Sequence, residues 1–330
     1  MNKRIKKKVA KKEEKSPVER VMEILSKPNA RVKFKELARR TGLTQQQLRD
    51  TIPEVRTLRP DLTYGKYDST YWFSGSPTSY SDRYDMSWMP LEGQFGFITD
   101  THVASNAERL DRLNAAYDDF AARGITTVLH TGDASDGMSS YRGHEFHVKA
   151  FGDQEQAKYF SENFPKRDGI TTYLIAGNHD MDTFNKTQVD RLSLVVHGFR
   201  HEGKEIPPRD DIKYLGPYSA YLIFPQEVLV HMLHPKKAGG YAKSYYQQKR
   251  SEGMNRNTRP DLQLSGHVHD YCHVWLDGTH FISGPSGSQG ETEYTKRLAY
   301  SNYNGYCIIS YSIEDGAFAR LAVETKFFVD

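Results

Sequence analysis

The chain has 330 residues, 37 % of them hydrophobic and 12 % aromatic, with 21 tyrosines and a net charge of +3. No apolar run approaches the roughly 20 residues that a membrane helix needs, and the basic opening MNKRIKKKVAKKEEK lacks the apolar stretch of a secretory signal. These features exclude an integral membrane protein and predict a soluble, cytoplasmic one. Residues 1 to 75 hold 19 Lys and Arg against 9 Asp and Glu, leaving 26 against 33 for residues 76 to 330. A concentrated positive segment attracts polyanions through counterion release, whereas a mildly acidic body suits a carboxylate-rich cation site. Cys272 and Cys307 lie in strand-like surroundings with no second cysteine nearby, which argues against a disulfide framework and against a thiolate metal site.

Residues 1 to 16 are Lys-rich with few apolar positions and are expected to form a disordered basic arm. Ser16-Pro17 reads as an N-cap and first helical position, followed by Val18, Val21, Met22 and Leu25 at helical spacing. A second helix is predicted from Phe34 to Arg40, then a turn containing Gly42 and a third helix capped by Thr44. Pro53 is expected to end or kink that helix after two turns. A hairpin follows, running Leu62 to Tyr64, turning near Gly65-Lys66 and returning as Thr70 to Phe73. Residues 17 to 75 thus resemble a winged helix-turn-helix domain. The resemblance implies that Gln45, Gln46, Gln47 and Arg49 face outward and, with Lys66, contact nucleic acid, DNA in preference to RNA. Docking of a protein partner, or of a second copy, is the alternative use of such a domain.

Residues 76 to 93 are rich in Ser, Pro, Gly and Asp and read as a linker, so a second domain is expected over 94 to 330. Its first half alternates strands and helices. An apolar strand ends at Asp100, an amphipathic helix spans Asn106 to Arg123, a strand ends near Asp133, and a helix around Gln154 to Phe164 leads to a strand before AGNHD. From residue 212 onward strand-like runs are joined by turns: YLGPYSAYLIF, EVLVHML, LQLSGH, HVWLDG, TKRLAY and NGYCIISY.

In open α/β sheets, ligands gather beyond the carboxyl ends of strands, where loops converge. Five segments occupy such positions: ITDTH with Asp100 and His102, HTGD with Asp133, AGNHD with Asn178, His179 and Asp180, VHMLHP with His231 and His234, and SGHVHD with His267 and His269. All five offer oxygen or imidazole donors. Two cations held close together need this inventory, a carboxylate able to bridge them and neutral imidazoles to complete each shell. Mixed nitrogen and oxygen ligands suit manganese, iron, zinc or cobalt better than magnesium or calcium. Two divalent transition-metal ions are therefore expected.

The ordered set D-x-H, G-D, G-N-H-D, H, G-H-x-H resembles the calcineurin-like metallophosphoesterase superfamily, with surrounding elements extending the likeness to roughly 94 to 330. The resemblance implies an α/β fold in four αββα layers, with two mixed sheets packed face to face and flanked by helices. It implies Asp100, His102 and His269 on one metal, Asn178, His234 and His267 on the other, and Asp133 bridging them, with manganese favoured. His234 is preferred to His231 because it ends its strand directly before Pro235, where the family's ligand lies, while His231 is on the opposite strand face. His179 is left to protonate the departing oxygen during in-line attack on phosphorus, its ring oriented by Asp180 or by a backbone carbonyl. Gly177 is expected to permit a tight turn.

Departures from the family narrow the substrate. The protein Ser/Thr phosphatases carry G-D-x-x-D-R-G and G-N-H-E, whereas this chain reads GDASDG and GNHD. Purple acid phosphatases place a tyrosine three residues after the bridging aspartate, a position held here by Asp136. The phosphodiesterase group remains, and two basic, aromatic insertions suit a nucleic-acid strand: residues 137 to 153 with Arg142, His144 and His147, and residues 236 to 260 with Tyr241, Tyr245 and Tyr246. A DNA nuclease or DNA-end processing enzyme is the leading expectation. A hydrolase for cyclic nucleotides or other small phosphoesters is the first alternative, and a DNA-binding regulator with a metal-sensing domain the second.

Overall fold

The computed structural model describes residues 15–59, 61–65, 68–73, 83–236, 242–255, 259–290, 292 and 304–329. The chain divides into two compact units between residues 79 and 80. In the first, Ser16 caps α1 (Pro17–Leu25): its hydroxyl accepts from the Glu19 N–H at 3.2 Å, and the Glu19 carboxylate accepts from the Ser16 N–H at 2.7 Å. There follow β1 (Val32–Lys33), α2 (Phe34–Thr41), α3 (Gln45–Leu58), β2 (Leu62–Gly65) and β3 (Thr70–Phe73), the strands forming an antiparallel sheet in the order β1-β3-β2. Pro53 does not end α3, which runs on through it to Leu58. An interior proline costs about 3 kcal/mol. Leu48, Ile52 and Val55 of α3 are all buried with Val21, Leu37 and Tyr71, and at roughly 1.5–3 kcal/mol per buried side chain they outweigh that cost.

The second unit begins earlier than the sequence suggested. Residues 83–93, read as part of a linker, contain β4 (Arg83–Asp85), and Met86 and Met89 are buried in the core. Tyr84 adds a hydrogen bond from its hydroxyl to the Leu215 carbonyl at 2.6 Å. Three apolar anchors thus override a Ser- and Pro-rich composition. After β4 come β5 (Glu92–Ile98), α4 (Leu110–Ala122), β6 (Thr127–His130), α5 (Asp153–Asn163), β7 (Thr171–Ala176), α6 (Phe184–Thr187), α7 (Arg191–His197), β8 (Phe199–His201) and β9 (Lys204–Ile206). The chain continues as β10 (Ile212–Pro217), β11 (Ser219–Ile223), β12 (Leu229–Leu233), α8 (Tyr245–Gly253), β13 (Leu262–Ser265), β14 (Cys272–Leu276), β15 (Thr279–Ser283), β16 (Gly305–Glu314) and β17 (Ala317–Phe327). The expected strand TKRLAY lies outside the described residues.

Two mixed six-stranded sheets result, ordered β10-β7-β6-β5-β16-β17 and β14-β15-β13-β12-β11-β4. Alternation along the strands sorts residues between two cores. Phe95, Phe97, Leu129 and Ile175 of the first sheet meet Leu222, Val230, Met232, Leu264 and Ile282 of the second. On the other face of the first sheet, Ile98, Val128 and Leu174 pack under Leu113, Tyr117 and Phe120 of α4, Phe160 of α5 and Leu192 of α7. On the outer face of the second sheet, α8 is tied down through Arg250, which donates to Gln263 at 2.9 Å.

His231 lies on that outer face, away from the interior-facing Val230 and Met232. It is hydrogen-bonded to Ser219 at 2.9 Å and Gln263 at 3.2 Å, and stacked on Tyr221 at 4.2 Å. Burial, reinforced by the charge of Arg250, lowers its pKa to about 3. The folded state therefore binds fewer protons here than the unfolded chain, whose His titrates near 6.5. The resulting stability is full above pH 6.5 and is lost as pH falls toward about 3, at up to about 1.4 kcal/mol per pH unit. His231→Gln is expected to flatten the decline of urea-unfolding free energy between pH 6 and 4; an unchanged slope would show that His231 does not contribute to it.

Candidate metal centre

Every candidate ligand follows a strand end. Asp100 and His102 come after β5, Asp133 after β6, Asn178 after β7, His234 after β12, and His267 and His269 after β13. Strands β5, β6 and β7 are neighbours in one sheet, and β12 and β13 in the other, so loops from both sheets converge. Asp100, His102, Asp133, His267 and His269 all have φ between 46° and 80°. That region is uncommon for residues with a Cβ, and such conformations persist where the surroundings over-determine them, often at functional sites. Here the Asp100 N–H donates to the Gly132 carbonyl and the His102 N–H to the Asp133 carbonyl, each at 3.0 Å.

The seven residues come together as two adjoining groups. Potential ligand atoms of Asp100, His102 and His269 all lie within 4.8 Å of one another, and so do those of Asp133, His234 and His267. His102 Nε2 is 3.2 Å from His269 Nε2, which is 3.4 Å from Asp100 Oδ1. His234 Nε2 is 3.1 Å from Asp133 Oδ2 and 3.0 Å from Asn178 Oδ1. The His267 N–H donates to both Asp100 carboxylate oxygens at 2.9 Å, joining the groups. Burial opposes ionisation of Asp133, but the charges of His234 and His179 prevail and hold its carboxyl well below the usual range. Burial likewise opposes ionisation of Asp100, and His269 and His234 reverse it. Anionic oxygens, imidazoles and one amide, with no thiolate, fit divalent transition-metal ions.

A second layer orients these donors. His234 Nδ1 donates to the Thr131 carbonyl at 2.8 Å, leaving Nε2 for a ligand role. Asp136 performs the same service for His102, its Oδ1 lying 2.9 Å from His102 Nδ1, while its Oδ2 lies 3.1 Å from His144 Nε2. In the sequence Asp136 stands out only as the position where purple acid phosphatases place a tyrosine. The signal was present, since the second aspartate of GDASD follows Asp133 by three residues.

His179 adjoins the first group, its ring centroid 4.6 Å from that of His102. Its Nδ1 donates to the Asp136 carbonyl at 2.6 Å, leaving Nε2 for proton chemistry. Burial works against its cation, but Asp133 and Asp136 raise its pKa. Asp180 does not orient this ring. Its carboxylate accepts from the N–H groups of Gly177 at 2.8 Å, Ala134 at 3.1 Å and Ser135 at 2.7 Å, locking the loop after β7 to the loop after β6. Burial and then the charge of Asp133 raise the Asp180 pKa to about 6. Gly177 also serves differently from expectation. Its φ is not positive, and a Cβ there would collide with the Asp133 carboxylate, so close approach rather than a turn requires glycine.

The loop bearing His179 is braced by Arg191, a buried residue that sequence reasoning missed. Its guanidinium donates to the His179 carbonyl at 3.0 Å, to Asp153 at 2.8 Å and to Thr183 at 2.7 Å, and pairs with Asp182. Asp182 in turn accepts from the N–H groups of Met138, at 2.7 Å, and Ser139.

The proposed nucleic-acid contacts fare less uniformly. Gln45, Gln46 and Gln47 are exposed on α3. Gln47 also completes the capping box with Thr44, and Gln46 donates to Asp50 at 2.9 Å. Arg49, expected to point outward, is half-buried with its guanidinium 5.2 Å from the Phe34 ring centroid. Lys66 and Tyr241 lie outside the described residues. In the second insertion, Lys243 pairs with Asp270, Arg250 is held by Gln263, and Arg259 donates to the Ser251 carbonyl at 2.8 Å. No helix among the described residues is long and apolar enough to cross a membrane.

The family model for calcineurin-like phosphoesterases matches residues 93–271, over half the chain. This chain belongs to the calcineurin-like phosphoesterase family, whose members use divalent metals and act as phosphoester hydrolases. No curated protein sequence matches it. Similar solved structures include Yfce, a phosphoesterase from E. coli, at 14 % identity over 70 % of this chain and 98 % of that one, TM-score 0.38. A novel archaeal phosphodiesterase is 13 % identical over 70 % of this chain and 100 % of that one, TM-score 0.36. Vacuolar protein sorting 29 from Cryptosporidium parvum is 14 % identical over 72 % and 99 %, TM-score 0.36. At these scores none of the three bears on substrate.

Proposed function

We propose that this chain is a dinuclear-metal-dependent phosphodiesterase acting on nucleic acid, DNA in preference to RNA, recruited by a first unit that serves as a winged helix-turn-helix domain. The observation that carries the hydrolytic reading is the pair of adjoining donor groups with His179 beside them. Asp100, His102 and His269 would hold one cation, Asn178, His234 and His267 the other, and Asp133 both, with manganese favoured over iron, zinc or cobalt. Bound there, such cations supply Lewis-acid polarisation of phosphoryl oxygens and bring the pKa of water toward neutrality. The chain does the rest. Asp136 fixes the His102 ring and, through its carbonyl, the His179 ring, from which Nε2 delivers a proton to the departing ester oxygen. Asp180 and Arg191 keep the two loops in register.

Recruitment is supported by the positive excess of residues 1 to 75 and by the element order α1-β1-α2-α3-β2-β3 with its antiparallel sheet. The proposal includes a cytoplasmic location and leaves the same unit able to dock a protein or a second copy. A second reading, hydrolysis of small phosphodiesters, is favoured by the internal engagement of Lys243, Arg250 and Arg259.

The test compares full-length protein with a chain beginning at residue 80, using manganese, end-labelled DNA and RNA, and bis(p-nitrophenyl) phosphate. Full-length protein is expected to cleave polymer and ester, and the shortened chain to keep ester hydrolysis while losing salt-dependent DNA affinity. Ester cleavage by both, with polymer untouched, selects the second reading. Metal binding without any hydrolysis would sink both.

A further inference from the structure

Tyr218 stands between β10 and β11, strands of different sheets that the sequence presents as one run. Its backbone is tied to both neighbouring ligand-bearing elements. The Tyr218 N–H donates to the Ala176 carbonyl, two residues before Asn178, and its carbonyl accepts from the His234 N–H, each at 2.8 Å. Its φ is +65°, and among the described residues it is the only Tyr, Phe or Trp at positive φ. A bulky residue is strained there, and glycine or asparagine would make the same turn more readily. The ring is not a core anchor, because the residue is 43 % exposed and belongs to neither hydrophobic core. Hydrogen bonding does not require it either, since its hydroxyl has no partner among the described residues. Five of the candidate ligands share this left-handed backbone, and partial burial, followed by the charges of Asp133, Asp180 and Asp182, pushes the phenol pKa up.

We propose that Tyr218 is a specificity-determining residue whose ring supports the organic group of a phosphoester substrate beside the metal centre. This rests on the hydrolase reading above. A phenol ring favours a flat unsaturated substituent, an aryl group or a nucleobase, through offset stacking.

The test is calorimetric titration of manganese-loaded full-length protein with phenylphosphonate, whose carbon–phosphorus bond is not an ester, and with inorganic phosphate. Wild type is expected to bind phenylphosphonate the more tightly. Tyr218→Asn should weaken phenylphosphonate by about 3- to 10-fold, leave phosphate unchanged and not lower Tm, while Tyr218→Phe should behave as wild type. Equal wild-type affinities, parallel weakening of both ligands, a lowered Tm with lost metal, or a loss in Tyr218→Phe matching that in Tyr218→Asn would overturn the proposal. Turnover of bis(p-nitrophenyl) phosphate is measured alongside. Its absence with selective binding intact sinks the hydrolase reading alone, whereas turnover without ligand selectivity sinks the role of Tyr218 alone.

Discussion

Asp133→Ala is expected to abolish high-affinity binding of two divalent cations and to bring ester hydrolysis down to background. The carboxylate is buried, sits 3.1 Å from His234 Nε2 and is held anionic by the surrounding histidines. Removing it takes away the charge that both cations would share and leaves mainly neutral donors in the second group, with Asn178 unable to replace the lost anion. Elemental analysis after equilibrium dialysis against manganese, with ester turnover on the same samples, checks this. Two retained equivalents of metal would remove Asp133 from the centre, and a far-ultraviolet circular dichroism spectrum matching wild type would show that the fold survives.

His179→Ala separates chemistry from metal binding. His179 groups with His102 and Asp136 beside the first set of donors rather than with Asp133, His234 and His267, and it is anchored through Nδ1 to the Asp136 carbonyl. The variant should keep both metals and lose about 10²- to 10⁴-fold in kcat for esters with poor leaving groups. The loss should shrink for p-nitrophenolate, which departs without a proton. Equal losses for both leaving groups, or metal loss equal to that of Asp133→Ala, would take the proton-donor role from His179.

The contrast between these residues and those that brace them shows what could be read in the chain. Asp100, Asp133, Asn178 and His267 were legible because each follows a short strand-like run, and open α/β sheets present their loops at strand ends. Ser16 and Thr44 were legible because a helix cap and its partner lie three residues apart in the chain. Arg191 gave no such signal. Its partners are Asp153 at the start of α5 and, in the loop after β7, Asp182 and the His179 carbonyl, and nothing in RLSLVVH marks a buried guanidinium.

Local order therefore determined the class of chemistry, the strand-end positions of the candidate donors and the alternation of strands and helices, because each depends on neighbours in the chain. Longer-range packing decided the rest. It drew residues 83–93 into the second unit through Met86 and Met89, and carried α3 past Pro53. It assigned Asp180 to loop clamping rather than to His179, and split YLGPYSAYLIF between two sheets at Tyr218. In each case burial of apolar surface or pairing of buried polar groups across distant segments outweighed a local preference of a few kcal/mol. Only the folded chain brings those groups together.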